Sequence, residues 1–268
     1  MLAFAANSLL CRLALGFEQI DAASFTSVRL ISGAVMMGML LLPGIRARER
    51  YSADWRSVSS LFAYMICFSL AYLSLAAGTG ALILFGAVQL TMILSALRSG
   101  ERLSPAAWFG LALAVIGLVY LVSPGVSAPD PLGAVLMTIA GIAWGFYSLF
   151  GRSAADPMQA TAYNFLYAVP FALLVSALLW RDFSITPAGI GLAVASGALA
   201  SGLGYFVWYL ALRNLAAVQA ATVQLSVPVI AAIGGVAFIA EPLTVRLLIA
   251  SVATLGGIAI VLTRRRAA

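Results

Sequence analysis

The sequence predicts an all-α integral membrane protein of ten transmembrane helices, arranged as two inverted five-helix repeats. Three observations predict it. Of 268 residues, 63% are hydrophobic and 9% charged, with a mean hydropathy of +1.06; a water-soluble domain of that size does not cover its surface with so few charges. A bilayer core of about 30 Å takes about 20 apolar residues per helical pass, so short connections leave room for about ten passes and none for a soluble catalytic domain. The arginines are also unevenly placed between the apolar runs, as a multi-pass topology requires.

The runs, taken in order, occupy 1–16, 24–42, 58–76, 80–98, 105–122, 131–150, 159–179, 187–211, 215–239 and 243–262. The first reaches only about 23 Å at 1.5 Å per residue. It has no basic segment before it and no cleavage-like site after it, which argues against a secretory signal. The expectation is that Met1 is an internal start, and an ordered helix upstream of Met1 in a longer chain would test it. Helix starts are marked by Pro105, Pro131, Pro187 and Pro242, at or just before positions where a missing N–H costs nothing. Pro228 interrupts the ninth run and Pro170 the seventh, and each removes one helical hydrogen bond.

With ten passes, both termini and the even-numbered connections share a side. That side holds Arg46, Arg48, Arg50, Arg56, Arg98, Arg102, Arg152, Arg213, Arg264, Arg265 and Arg266. The other holds Arg12, Arg29, Arg181 and Arg246. By the positive-inside rule both termini are cytoplasmic. The Ala- and Arg-rich, Lys-free composition reads as a bacterial gene, hence the inner membrane.

The same composition excludes several functions. The net charge of +6 comes from arginines between apolar runs, so it marks topology and not a nucleic-acid partner. There is no His, and Cys11 and Cys67 lie inside apolar runs; no metal, haem or other cofactor is implied. Intramembrane proteases need His, paired intramembrane Asp or zinc ligands, so an enzyme is not expected. All nine acidic residues, namely Glu18, Asp21, Glu49, Asp54, Glu101, Asp130, Asp156, Asp182 and Glu241, fall in connections or at run ends. A mid-membrane carboxylate for proton exchange is therefore missing. No Lys or Arg is expected at mid-helix either, which disfavours phosphate-bearing solutes.

Sliding the chain by 140 residues aligns Ser8-Leu9 with Ser148-Leu149, Arg12 with Arg152, Glu101 with Glu241, Leu103 with Leu243, Ser104 with Thr244 and Gly117 with Gly257. Each unit then holds five passes, an odd number, so the second inserts upside down. The units are 1–122 and 131–262, followed by a basic cytoplasmic tail at 263–268.

The stretch Gly100-Glu101-Arg102-Leu103-Ser104 with Gly110 and Gly117, its echo Ala240-Glu241-Pro242-Leu243-Thr244 with Gly256-Gly257, and Trp144-Gly145 resemble the EamA branch of the drug/metabolite transporter superfamily. Within it the chain is most similar to bacterial exporters of amino acids, including aromatic ones. Where that family has Trp before a small residue in its first helix, this chain has Phe4-Ala5. The resemblance implies a central cavity lined mainly by helices 1, 3, 4, 6, 8 and 9. Tyr64, Phe68 and Tyr72 share one face of the third helix; Trp144 and Tyr147 lie on the sixth, and Tyr205, Trp208 and Tyr209 on the eighth. Rings with polar tips suit an aromatic or amphipathic solute; core packing or interfacial anchoring is the alternative reading. Asn7, Gln89 and Gln224 are mid-depth amides that suit a zwitterion or join helices by hydrogen bonds. Pro228 is the candidate hinge. Tyr51, Trp55 and Trp180 read as an interfacial belt, and Gly141/Gly145 and Ala193/Gly197/Ser201 as packing stripes. Glu101 and Glu241 read first as structural helix-end residues and second as gates.

The expected function is a secondary transporter or facilitator that exports small neutral amphipathic metabolites, amino acids above all, by alternating access. A proton-coupled multidrug exporter and a non-transporting receptor or structural protein are the competing classes. Partners are the solute and the lipid bilayer; nothing in the sequence sets an oligomeric state.

Overall fold

The computed structural model describes residues 1–41, 54–151, 154–212 and 217–264. They form α1 (Leu2–Gly16), α2 (Ala22–Leu41), α3 (Trp55–Ala71), α4 (Ala77–Arg98), α5 (Pro105–Val122), α6 (Pro131–Gly151) and α7 (Pro157–Leu178). Next comes one continuous helical rod: α8 (Pro187–Val194), a π-helical stretch (Ala195–Leu203) and α9 (Gly204–Leu212). The chain closes with α10 (Ala217–Gln224), α11 (Ser226–Ile239) and α12 (Val245–Arg264). Among the described residues eight helical stretches are long and apolar enough to cross a membrane, and α1 is a shorter apolar helix. Tyr51, Arg152 and Arg213 lie outside the described residues.

Local chemistry explains the boundaries. Ser104, Asp156 and Thr186 each accept a hydrogen bond from a first-turn N–H, and Pro105, Pro157 and Pro187 follow directly, the pairing of cap and N1 proline that helices favour. Asp130 does the same for α6, accepting from Gly133 N at 2.7 Å. The third helix stops at Ala71, not at 76, because a turn through Tyr72–Ser74 joins it to α4. The ninth run breaks at Leu225 between α10 and α11. Pro228 explains the break: it cannot donate to the carbonyl of Gln224 and its ring crowds that oxygen. Around Pro170, by contrast, α7 stays continuous.

Close helix crossings rest on glycine. A Cβ on Gly110 of α5 would stand 2.6 Å from the Gly257 carbonyl of α12, and one on Gly141 of α6 2.6 Å from Ala87 Cβ of α4. Against α6, α11 and α1, α4 takes the centre; α2 packs on α7 and the π-helical stretch, and α3 on α6 and α7. Several connections meet at one end of the bundle. Asp21 N donates to Ser184 O, Ser74 Oγ to Asp130, and Arg246 to the carbonyls of Leu121 and Ser123 at the end of α5. At the other end Ser104 Oγ donates to Arg264 O. Trp55 and Trp180 are exposed, as an interfacial belt requires.

Candidate functional site

One side chain organises the interior, and it is a cation. Arg29, eighth residue of α2, is the largest fully buried side chain described, at 0% exposure. This corrects two expectations: Arg29 does not mark an aqueous face, and a basic residue does stand inside a helix. At 1.5 Å per residue it lies about 10 Å from the start of α2. Its Nη2 donates to Tyr64 Oη at 3.0 Å, and both Nε and Nη2 reach Ser201 Oγ at 3.3 Å. The guanidinium carbon lies 4.9 Å from the ring centre of Phe68 and 5.4 Å from that of Tyr64, within cation–π range. Nη1 is buried without a hydrogen-bond partner.

The π-helical stretch makes this contact possible. Its wide turns and the small residues of Ala195-Ser-Gly-Ala-Leu-Ala-Ser-Gly-Leu203 bring its backbone against α2, where a Cβ on Gly197 would collide with the carbonyl of Arg29. Such π segments recur where a helix must aim side chains away from the regular ladder. Here they aim Ser196 and Ser201, both fully buried. Because a guanidinium only donates, the Asn7 amide turns its oxygen to Arg29 Nη2 (3.3 Å) and Ser201 Oγ (3.1 Å), and its nitrogen to the Ser196 carbonyl (3.2 Å).

Around this polar centre the rings form a continuous chain. Trp144 lies 4.8 Å from Tyr64 and 5.3 Å from both Tyr147 and Tyr205, between centroids. Tyr64 continues to Phe68 at 5.4 Å and Phe68 to Tyr72 at 4.8 Å. Phe4 touches Tyr205 and Trp208 at 5.7 and 5.9 Å, and Phe165 touches Tyr205 at 5.9 Å. The structure thus brings together Asn7, Tyr64, Phe68, Tyr72, Trp144, Tyr147, Tyr205 and Trp208. It does not open them to water. Asn7, Tyr64, Phe68, Tyr72, Gln89, Tyr147 and Tyr205 are all buried, and Trp144 and Trp208 half-buried, so the expected open chamber is shut here by the rings packing on one another.

Gln89 of α4 is buried with its amide nitrogen unpartnered, while Gln224, half-buried at the end of α10, sits beside the break above Pro228. Neither is hydrogen-bonded to the Arg29 group among the described residues. The side chain of Tyr209 lies outside the described residues. Sequence reasoning missed Arg29, Ser196, Ser201 and Phe165. A lone Arg inside the apolar run 24–42 was the available signal for the first. Ser201 stands in the stripe Ala193/Gly197/Ser201 that reads as packing, and Ser196 lies outside any stripe.

Glu241 holds a second feature at the end of the bundle. Its Oε1 accepts from Arg12 Nε at 3.1 Å and its Oε2 from Ala77 N, the start of α4, at 2.8 Å. Arg12 Nη1 donates to the carbonyls of Tyr72 and Leu73 at 3.1 and 3.2 Å. The cation sits at the end of α3 and the anion at the start of α4, each where the helix partial charges favour it. Nearby a cavity of about 360 Å³ is lined by Leu15, Ile20, Leu70 and Leu73, with Glu18, Asp21 and Asp182 contributing carboxylates. Among the described residues no group of three or more His, Cys, Asp or Glu side chains is arranged to hold a metal.

The EamA-like transporter family matches residues 1–123 and 131–263. An uncharacterized protein of Pseudomonas aeruginosa is 52% identical over 243 residues, covering 91% of this chain and 85% of that protein. An uncharacterized transporter of Archaeoglobus fulgidus is 25% identical over 82% of this chain and 81% of its own. The threonine/homoserine exporter RhtA of Escherichia coli K12 is 32% identical over 158 residues, 56% of this chain and 51% of the exporter. A solved crystal structure superposes with a TM-score of 0.69 at 20% identity, covering 99% of this chain and 98% of the other, a likeness of fold alone.

Proposed function

The chain belongs to the EamA-like transporter family, and from that premise we propose that it is a facilitator exporting amino acids, including aromatic ones, by alternating access between two inverted five-helix repeats in a bacterial inner membrane. The single observation that carries this reading is the group of rings and polar side chains drawn from α1, α2, α3, α6 and α9 and the π-helical stretch, meeting between residues 1–122 and 131–262. The part-length likeness to a threonine/homoserine exporter supports an amino-acid solute.

The contacts support the repeat. Counting α8, the π-helical stretch and α9 as the eighth pass and α10–α11 as the ninth, exchange of the halves maps observed pairs onto observed pairs: α3–α6 onto α1–α8, α4–α6 onto α1–α11, and the α2 contact with the π-helical stretch onto α3–α7. The pairs α5–α12, α2–α7 and α4–α11 map onto themselves. Arginine placement supports cytoplasmic termini. With that orientation the Arg12–Glu241 contact closes the outer end, and the shut ring cluster is an occluded state.

Counterflow of labelled L-threonine and L-phenylalanine in proteoliposomes tests the reading. Trp144→Ala and Gln89→Ala are each expected to slow flux of the substrate about tenfold, equivalent to about 1.4 kcal/mol, with unchanged elution of the purified protein; unchanged flux in both variants removes them from the path. No flux of any amino acid by the wild type overturns the reading.

A second expectation follows from the carboxylates. Glu18, Asp21, Asp54, Glu101, Asp130, Asp156, Asp182 and Glu241 all lie outside the long helices, so no described carboxylate stands at membrane depth to exchange a proton. An imposed pH gradient is expected to drive no accumulation above equilibration. Concentrative uptake under that gradient favours the proton-coupled exporter instead.

A further inference from the structure

We propose that Arg29 is the anion subsite of this transporter and that its ligand is a monocarboxylate attached to an apolar or aromatic body. The proposal rests on the transport reading above and deepens it.

A guanidinium stays protonated at any physiological pH, so Arg29 is a permanent cation at 0% exposure. None of the described carboxylates pairs with it; its partners are two hydroxyls, one amide oxygen and two ring faces. These dipoles soften the burial of the charge without neutralising it. A membrane protein that only needed to join α2 to the π-helical stretch has a less demanding means, the serine pair already used between α2 and α7, where Ser27 and Ser176 lie 2.8 Å apart. Nη1, buried with no acceptor, is the position an incoming anion completes. A carboxylate oxygen there accepts a charge-assisted hydrogen bond, shorter and stronger than one between neutral groups.

The surroundings select among anions. One cation balances one negative charge, whereas a phosphate monoester brings nearly two. Tyr64, Phe68, Trp144 and Tyr205 surround the guanidinium with ring surface on which an apolar body packs. A zwitterionic amino acid and a simple organic acid share this chemistry. An α-amine would meet only hydroxyls, the Asn7 oxygen and ring faces there.

Equilibrium binding to the purified protein in detergent separates the cases, with 3-phenylpropanoate, 3-phenylpropanamide, L-phenylalanine and phenyl phosphate as probes. The wild type is expected to prefer 3-phenylpropanoate over its amide by on the order of 10–100-fold. Arg29→Gln is expected to abolish that preference, and Arg29→Lys to retain part of it, which a merely structural role for Arg29 does not predict. Tighter binding of L-phenylalanine than of 3-phenylpropanoate supports the zwitterion as source, and the reverse order the organic acid; both support the subsite. Equal affinity for acid and amide, preference for phenyl phosphate, no binding of either carboxylate, or an undiminished preference in Arg29→Gln overturns it. The comparison of acid with amide in the wild type decides even if Arg29→Gln fails to fold. Flux does not enter this measurement. A protein that selects the acid yet moves nothing contradicts only the transport reading, and one that moves amino acids with no Arg29-dependent selection contradicts only the subsite.

Discussion

Gly197→Leu is expected to yield no folded protein, and Gly197→Ala to lose about 1–3 kcal/mol of stability. The reason is the crossing of α2 with the π-helical stretch. A methyl group on Gly197 meets the Arg29 carbonyl and the Ser32 hydroxyl closer than van der Waals contact permits, and the carbonyl is backbone. It cannot rotate away. The two rods must separate, and separation withdraws Ser201 from the guanidinium of Arg29 and opens a gap in the ring cluster. Both consequences are destabilising, one through a buried charge left with fewer partners and the other through lost packing. Gly191→Ala is the control: a Cβ there meets nothing within 4 Å, and alanine adds helix propensity, so stability holds or rises slightly. The yield of folded Gly197→Leu, with thermal unfolding of Gly197→Ala and Gly191→Ala in detergent, checks the series. Equal midpoints for Gly197→Ala and Gly191→Ala would show that the crossing is loose.

Glu241→Gln is expected to open the outer end. The carboxylate joins Arg12 on α1 to the first N–H of α4, and its side chain is 12% exposed against 23% for Arg12, so water screens the pair only in part. Losing the charge leaves one amide oxygen for two donors, Arg12 Nε and Ala77 N, so one of them faces the NH2 group, while Arg12 keeps the carbonyls of Tyr72 and Leu73. A penalty of about 1–3 kcal/mol on the closed state shifts the balance of closed and open forms by about one to two orders of magnitude. A cysteine at Ser8, buried one turn inward of Arg12, is then expected to react at least about tenfold faster with an impermeant thiol reagent added outside. The charge-swapped double variant Arg12→Glu with Glu241→Arg is expected not to restore closure. It would set an anion against the carbonyls ending α3 and a cation against the N–H groups opening α4, opposite to the preference of the helix ends. Full rescue by the swap would mean that only the mutual attraction of the pair matters.

How much was legible in the sequence follows from what each signal depends on. Helix positions depend on local chemistry, namely apolar runs, capping side chains and prolines at the first turn, so α5 and α6 start at Pro105 and Pro131 as expected. The exit of α3 has no local signal, because Tyr72, Leu73 and Leu75 are as apolar as the helix before them; what ends the helix is a turn held by the arriving Arg12. The aromatic stripe of α3 was visible as a spacing of four. That it meets Trp144 and Tyr205 required the packing of other helices. Arg29 was visible as a residue and misread as a position: charge counting by sides treats every arginine as wet, and only tertiary structure reveals one that is dry. Ser196 and Ser201 were hidden because a π-helical stretch rotates side chains away from the regular period by which helix faces are read. Glu241 was noticed through its repeat partner Glu101, but its pairing with Arg12, 229 residues away, had no local signature.

The most direct test of the central claim, that the closed cluster is a solute path alternately exposed to the two faces, is the reactivity of a single cysteine at Trp144 in a protein whose Cys11 and Cys67 are replaced by Ala. In oriented proteoliposomes an impermeant thiol reagent is predicted to modify that cysteine when added on the cytoplasmic side, and on the outer side once Glu241→Gln is introduced, with a transported amino acid slowing both reactions. A cysteine at Trp144 that stays unmodified from both sides in both backgrounds, while the protein remains folded, contradicts the account.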